Sequence, residues 1–319
     1  MRRLRVLTWH VHGSYLHYLS HAGHDFFLPV TPERGEGHGG RTPNFPWGAN
    51  VHEVPVSQLA ATAFDVVLYQ SHRNWRVDRR ALPPAVRALP AVFLEHDPPR
   101  DSPTDTRHPV DDPAVQIVHV THFNALMWDN GANPVAVIEH GVPDFGHRHS
   151  GTLDRGLVVV NGLARRGRRL GADVFERARA QLPLDLVGMF AEEAGGLGEV
   201  PLSALADFAA QYRFFFHPIR YTSLGLALIE AMMLGLPIVG LATTELPTII
   251  RNGENGFIAT SEAELHSAMR RLLADPGLAR ALGAAARETA CARFGIDRFA
   301  RDWEALLGAV ATGRLERAA

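Results

Sequence analysis

The sequence predicts an α/β protein built of two Rossmann-like, doubly wound domains facing an interdomain cleft. Three observations lead there. The chain has 319 residues, more than one hydrophobic core usually spans, so two domains of about 150 residues each are expected. Short apolar runs without polar alternation mark strands buried on both faces, as a parallel sheet requires. Helical patterns separate these runs, and right-handed strand–helix–strand crossovers would wind a sheet in each half.

In the first half the runs are 5–9, 65–69, 91–94, 116–120 and 135–138. Between the first two, the segment 31–50 holds Gly35, Gly37, Gly39, Gly40 and Gly48 and reads as a long loop, of a kind that is either mobile or functional. A hinge is expected near 141–151, and the second series follows it at 157–160, 184–187, 214–216, 236–239 and 256–258. From Ser261 to Leu307 the pattern is helical. Ala263, Leu265, Ala268, Met269 and Leu272 fall at helix spacing, and Pro276 opens the next helix.

Composition narrows the chemistry. Apolar residues make up 46% and charged ones 21% with a net charge of −2, ordinary for a soluble domain and without the basic surplus a nucleic-acid binder needs. All 32 basic residues are arginines. A lysine Schiff base and a P-loop lysine are therefore ruled out. Any phosphate must be held by guanidinium groups, backbone N–H groups or helix ends. Cys291 is the only cysteine, so neither an intramolecular disulfide nor a thiolate zinc cage can form, and a reducing compartment fits. The apolar stretch after Arg5 ends at Trp9, too short for a signal-peptide core. The most apolar run, 224–242, contains Glu230, Pro237 and three glycines, which suits buried helix and strand rather than a membrane span. A cytoplasmic chain with no transmembrane segment is expected, and peripheral membrane contact is compatible with it.

The segment from His217 to Gly240 is the most informative. A strand ends at Phe216, a polar turn with Thr222, Ser223 and Gly225 follows, and a helix runs through Glu230 to Gly235. Backbone N–H groups near Leu224, Gly225 and Leu226 would then be unpaired at a helix N-terminus, where phosphate oxygens can complete them. Glu230 could accept two hydrogen bonds from a ribose diol. A plainer reading makes it an acid stabilised by the helix dipole.

Here the sequence resembles the retaining glycosyltransferases of family 4, the glycosyl transferases group 1 of the GT-B fold. Leu-Val-Gly188, Leu-Gly-Glu-Val-Pro201, the block Glu230-Ala-Met-Met-Leu-Gly-Leu-Pro237, Asn252-Gly-Glu-Asn-Gly-Phe257 and Leu-Leu-Ala-Asp-Pro276 occur in the family's order. The resemblance implies that Glu230 binds the ribose of a nucleotide-sugar donor and that Ser223 to Leu226 approach its diphosphate and sugar. The family usually carries a glutamate eight positions before Glu230, where this chain has Thr222. A hydroxyl can hydrogen-bond a sugar but supplies no carboxylate. The family's cationic pair after the first C-domain strand is matched only by the arginine-rich loop 161–169, within which Arg165 and Arg169 are the first candidates for the diphosphate; a solvated basic loop is the alternative.

In the N-terminal half, Trp9-His-Val-His-Gly13 stands where family members have a Gly-rich loop, and Gly13 would let a ligand approach the backbone. His96, at a strand end, matches a histidine near the transferred sugar, where a neutral imidazole would position a hydroxyl; a strand-end histidine with no such role is the alternative. Fifteen of the 17 histidines precede residue 150. His10 and His12, alternating on a strand end, could share a metal, which makes a metal-dependent hydrolase a distant alternative. A sugar-nucleotide epimerase or a catalytically degenerate nucleotide-sugar-binding protein of the same fold is a nearer one.

The resemblance thus implies a retaining transferase that moves a sugar from a nucleoside-diphosphate sugar to an acceptor hydroxyl, with no metal site and no cofactor. The acceptor, whether glycan, lipid-linked or small molecule, is not legible. The expected division is an acceptor-side domain at 1–145, a nucleotide-sugar-binding domain at 146–298, and a C-terminal helix at 299–319 crossing back to the first domain.

Overall fold

The structure, a computed structural model, describes residues 2–315. Residue 1 and the last four residues of the expected C-terminal helix lie outside the described residues. The chain divides into two units, Met1–Gly141 with Ile296–Ala319, and Val142–Gly295.

The first unit is built on seven parallel strands. They are β1 (Arg5–Thr8), β2 (Asp25–Val30), β3 (Val51–Pro55), β4 (Val66–Tyr69), β5 (Ala91–Glu95), β6 (Val115–His119) and β7 (Val135–Val137), in the order β3-β2-β1-β4-β5-β6-β7. The order reverses at β1, which pairs with both β2 and β4. Leu7, Tyr69, Phe93 and Ile117 from four of these strands pack into one core with Trp9 and Phe27. Five of the seven strands match the apolar runs of the sequence. Of the two unforeseen ones, β2 is an apolar run that carries Pro29, which cannot donate to a ladder and argues against a strand, and β3 is an edge strand whose His52 and Glu53 face partly outward.

The helix Ile296–Ala311 belongs to this unit. Its Phe299, Trp303, Leu306, Leu307 and Val310 are buried, and the Trp303 Nε1–H donates to Tyr15 Oη at 3.2 Å. Arg298 donates to the carbonyls of Glu139 (3.0 Å) and His140 (2.5 Å), tying the helix to the end of the β7 segment.

The second unit holds β8 (Leu153–Val159), β9 (Leu184–Val187), β10 (Tyr212–His217), β11 (Ile238–Leu241) and β12 (Gly256–Ala259), all parallel, in the order β12-β11-β10-β8-β9. All five were legible as apolar runs. β8 starts earlier than its run because Asp154, Arg155 and Gly156 interrupt the apolar pattern near its start, with Arg155 donating to both carboxylate oxygens of Asp185 on β9 at 2.6 and 2.7 Å. The run 224–242 becomes the helix Leu226–Leu234 and the strand β11, with Glu230 buried in the helix. No helix among the described residues is long and apolar enough to cross a membrane.

One glycine fixes how the loops of this unit meet. Gly171 has φ +81°, and a Cβ there would lie 1.9 Å from the Pro218 carbonyl oxygen. Gly253 is also left-handed at φ +78°, but nothing lies within 4 Å of its Cβ position. Replacing Gly253 by Ala should therefore cost only the left-handed penalty of about 1–2 kcal/mol. Gly171→Ala must also displace the backbone after β10 and should cost about 2–5 kcal/mol. Denaturant unfolding of both variants checks this, and equal losses would contradict the packing argument.

Candidate functional site

In open parallel sheets the ligand crevice lies beyond the C-terminal strand ends where strand order reverses. In the second unit that point falls between β8 and β10. The segment after β8, Asn161–Gly171, and the segment after β10, Pro218–Gly225, are stitched together there. The Arg169 carbonyl accepts from the N–H groups of Arg220 (3.1 Å) and Tyr221 (3.2 Å), and the Arg220 guanidinium donates to the Arg168 carbonyl at 2.8 Å.

Thr222 is half-buried in this loop, while Ser223 and Leu224 are buried. Gly225 is the N-cap of the helix Leu226–Leu234 and provides no side-chain acceptor, so the first-turn N–H groups have no side-chain cap. Glu230 is 9% exposed and lies beyond the first turn, which contains no acid. That placement weakens the dipole reading, since the dipole effect fades within one turn. His217 closes β10 beside this loop, and burial lowers its imidazole to about 4, so it is neutral at pH 7.

The arginine-rich loop is less bare than its sequence suggests. Arg165 lies on Glu193, with Nε 2.9 Å from Oε2, and stacks its guanidinium 3.5 Å from the Phe190 ring centroid. Arg168 pairs with Asp173, which also takes Arg177 and Arg220. The Arg220 guanidinium, with the others around it, holds the Asp173 carboxyl well below the usual carboxylate range. Arg169 is the expected phosphate ligand whose backbone lies at the strand-order reversal. Arg220 was not foreseen as part of this site, although its place four residues after a strand ending at Phe216 was a usable signal.

In the first unit the reversal falls at the ends of β1 and β4, where Gln70 Nε2 donates to Thr8 Oγ1 (2.9 Å) and the Trp9 carbonyl (2.8 Å). His96, just past β5, sits in a cluster of rings: its centroid is 4.3 Å from His12 and 4.8 Å from Tyr15, which in turn meets His140 at 5.5 Å. Burial, reinforced by His12, lowers the His96 imidazole well below its usual value, and its Nε2 has no hydrogen-bond partner among the described residues. Gly13 lies beside a protein ring. The space its missing Cβ leaves is filled by Phe45, whose Cε2 would lie 2.3 Å from such an atom.

His10 and His12 do not come together around a metal. The His10 ring is held to the Gly40 carbonyl through Nδ1 at 2.7 Å, and His12 turns to His96. Among the described residues, the group whose types and spacing could hold a divalent ion is His72, Glu95 and His108. Glu95 Oε2 lies 3.0 Å from His72 Nε2 and 3.3 Å from His108 Nε2. However, the Val110 N–H donates to His108 Nδ1 at 3.2 Å, so in the neutral ring the proton sits on Nε2, facing Glu95. A metal would need that lone pair. The arrangement suits a carboxylate clamped between two imidazoles. Burial pushes the Glu95 carboxyl up, but these histidines outweigh it and hold it well below the usual range. This cluster escaped sequence reasoning because its members come from three separate loops and strand ends.

Residues 180–275 match the family described as Glycosyl transferases group 1. Over 98 residues the chain is 35% identical to a D-inositol 3-phosphate glycosyltransferase of Streptomyces bingchenggensis (strain BCW-1), a match that takes in 30% of this chain and 21% of that protein. The chain thus matches about a fifth of the length of this curated relative. Among solved structures, it is similar to a sucrose-phosphate synthase from Thermosynechococcus elongatus, with TM-score 0.68 and 17% identity over 97% of this chain and 100% of the other. It is also similar to Anabaena Alr3699/HepE in complex with UDP and glucose, with TM-score 0.69 and 13% identity over 97% and 100%. AviGT4, a glycosyltransferase involved in avilamycin A biosynthesis, gives TM-score 0.66 and 18% identity over 98% and 100%. The fold class is GT-B, two parallel-sheet α/β units.

The buried histidines make the stability of the chain pH-dependent. His119 and His217 are both lowered to about 4 by burial. Between about 6.5, where the unfolded chain takes up these protons, and about 4, where the folded one does, acidification favours unfolding. Stability should fall from pH 7 to pH 4.5, by an amount on the order of 1–3 kcal/mol for each histidine. His217→Asn and His119→Asn should flatten that slope, whatever they do to stability at pH 7. Urea unfolding at several pH values measures it, and an unchanged slope in both variants would contradict the burial argument.

Proposed function

We propose that the chain is a glycosyltransferase that moves a sugar from a nucleoside-diphosphate sugar to an acceptor hydroxyl, with retention at the anomeric carbon. The observation that carries this reading is in the second unit: an uncapped helix N-terminus at the strand-order reversal, with a buried glutamate just beyond its first turn. This helix lies within the segment that matches Glycosyl transferases group 1. That Alr3699/HepE has been seen with UDP and UDP-glucose supports a nucleotide sugar as donor.

In this reading the N–H groups of Leu226 and Ala227 meet the oxygens of the diphosphate, and Arg169 adds a cation beside them. Charge that develops on the leaving diphosphate is met by donors already in place, which is electrostatic catalysis and needs no protein nucleophile. Thr222 and Ser223 offer hydroxyls to the donor sugar, and Glu230 accepts from the ribose diol. Burial keeps the His96 imidazole neutral, so it can hydrogen-bond a sugar hydroxyl without adding charge. The first unit is the acceptor side. The diphosphate needs no divalent metal here, because guanidinium and backbone N–H groups take its charge.

Glu230→Gln keeps the volume but loses the charge and one acceptor atom. Affinity for whichever of UDP, GDP and ADP binds best should fall by about 1.5–3 kcal/mol, roughly 10- to 150-fold. The matching 2′-deoxynucleotide should already bind weakly to the unmodified chain. Calorimetry with a parallel melting curve separates this from a stability effect: full affinity and no ribose preference would remove Glu230 as the ribose ligand.

The arginines divide in the same assay. Arg169→Ala should weaken nucleotide binding about tenfold or more. Arg165→Ala, which breaks the exposed pair with Glu193, should change it less. Transfer measured with excess chelator should continue at its full rate; loss of activity restored by one added ion would overturn the metal-free reading.

A further inference from the structure

The segment 31–50, read from sequence as either mobile or functional, is a built surface. Arg34 reaches both carboxylate oxygens of Glu53 at 2.9 and 2.8 Å, and the Arg41 N–H donates to the same glutamate at 2.8 Å. Gly39 bridges to Val30 of β2, and Gly40 sits at φ +66° where a Cβ would run into Glu53 and Val30. Trp47 Nε1–H donates to the Thr42 carbonyl at 2.9 Å.

What this framework holds is a group of rings at the end of β1. Trp47 and Phe45 are both half-buried, with centroids 5.4 Å apart. The His10 ring stands nearly perpendicular to Trp47, at 88° and 5.1 Å, and 6.0 Å from Phe45. His17 meets both at 5.9 Å. Because His10 Nδ1 lies 2.7 Å from the Gly40 carbonyl, it carries the proton, and the Nε2 lone pair is left as an acceptor. No described residue donates to it.

Two of the three nearby arginines are paired with acids. The guanidinium of Arg34 lies on Glu53, that of Arg73 on Glu36 and Asp78, and Arg41 Nη1 reaches the Val51 carbonyl at 3.4 Å. Half-buried aromatic rings beside a fixed hydrogen-bond acceptor, with Arg34 and Arg73 held by acids, match the chemistry of a sugar ring. Such a ring has an apolar C–H face for the aromatics and hydroxyl donors at its edge.

We propose that His10, Phe45 and Trp47 form the subsite for an uncharged sugar ring, the acceptor of the transfer. The assignment of that ring as acceptor rests on the glycosyltransferase reading above. Phe45 and Trp47 supply the stacking surface, and His10 Nε2 accepts from a ring hydroxyl.

Saturation-transfer NMR on the full chain tests it, with methyl α-glucoside, methyl α-mannoside and methyl β-galactoside as probes and glucose 6-phosphate as the charged comparison. At least one neutral glycoside should bind, glucose 6-phosphate should bind at least tenfold more weakly, and Trp47→Ala should reduce glycoside affinity tenfold or more. Should Trp47→Ala melt early, Phe45→Leu keeps the space over Gly13 filled while removing one aromatic face, and it should also weaken glycoside binding severalfold. His10→Phe keeps a ring and removes the acceptor nitrogen, with the same expected direction. Titration of UDP, GDP and ADP into the same preparations reports separately on the second unit. Nucleotide binding with no glycoside signal, glycoside binding indifferent to all three substitutions, or a preference for glucose 6-phosphate would overturn the sugar subsite. Trp47-dependent glycoside binding in a chain that binds no nucleotide would instead overturn the transferase reading and leave the sugar subsite standing.

Discussion

One backbone contact organises the second unit: the Arg169 carbonyl taking two consecutive N–H groups, those of Arg220 and Tyr221. A parallel sheet leaves the loops after neighbouring strands side by side but does not by itself fix them to each other. Here two hydrogen bonds and the Gly171 approach to Pro218 do so. The consequence runs along the chain, because the loop so fixed leads directly into Gly225 and the helix that carries Glu230. Precise placement of polar groups on a rigid frame is what a binding site needs.

A chain without lysine must manage a planar, permanently charged group at every cationic position. It does so by pairing arginines locally with acids. Asp173 is shared among Arg168, Arg177 and Arg220, and Arg177 extends the network to Glu262 at the start of another helix. These exposed pairs contribute little stability individually. Their effect is to orient guanidinium groups and to neutralise a loop that would otherwise repel itself. Such pairing also explains why a count of charges in the loop overstated the number of cations open to a ligand.

The fold was readable where burial leaves a mark in composition. Strands covered on both faces, such as Val66–Tyr69 and Ile238–Leu241, are apolar throughout, and so they stand out. Val51–Pro55, at the sheet edge, is under no such demand and reads as ordinary polar chain. The helix that buries Glu230 was legible because a local pattern of turn, apolar run and glycine surrounds it. The pairing of Arg165 was not: its partner Glu193 lies 28 residues on, beyond the reach of any local pattern. The same holds for Phe45 over Gly13, and for Glu95 between His72 and His108, where contacts depend on how distant segments fold together.

The helix Ile296–Ala311 gives the two units different relations to synthesis. The second unit is continuous in sequence, from Val142 to Gly295, so its whole core has been translated before the first unit is complete. The first unit begins earlier yet waits for Phe299 and Trp303, both fully buried, to cover Tyr15. On a ribosome, then, the amino-terminal sheet must remain for the length of an entire intervening unit with an apolar face uncovered, the condition in which nascent chains depend on chaperones. The last helix is the closing piece of the first-made unit, so the two units are completed in the reverse of the order in which they begin.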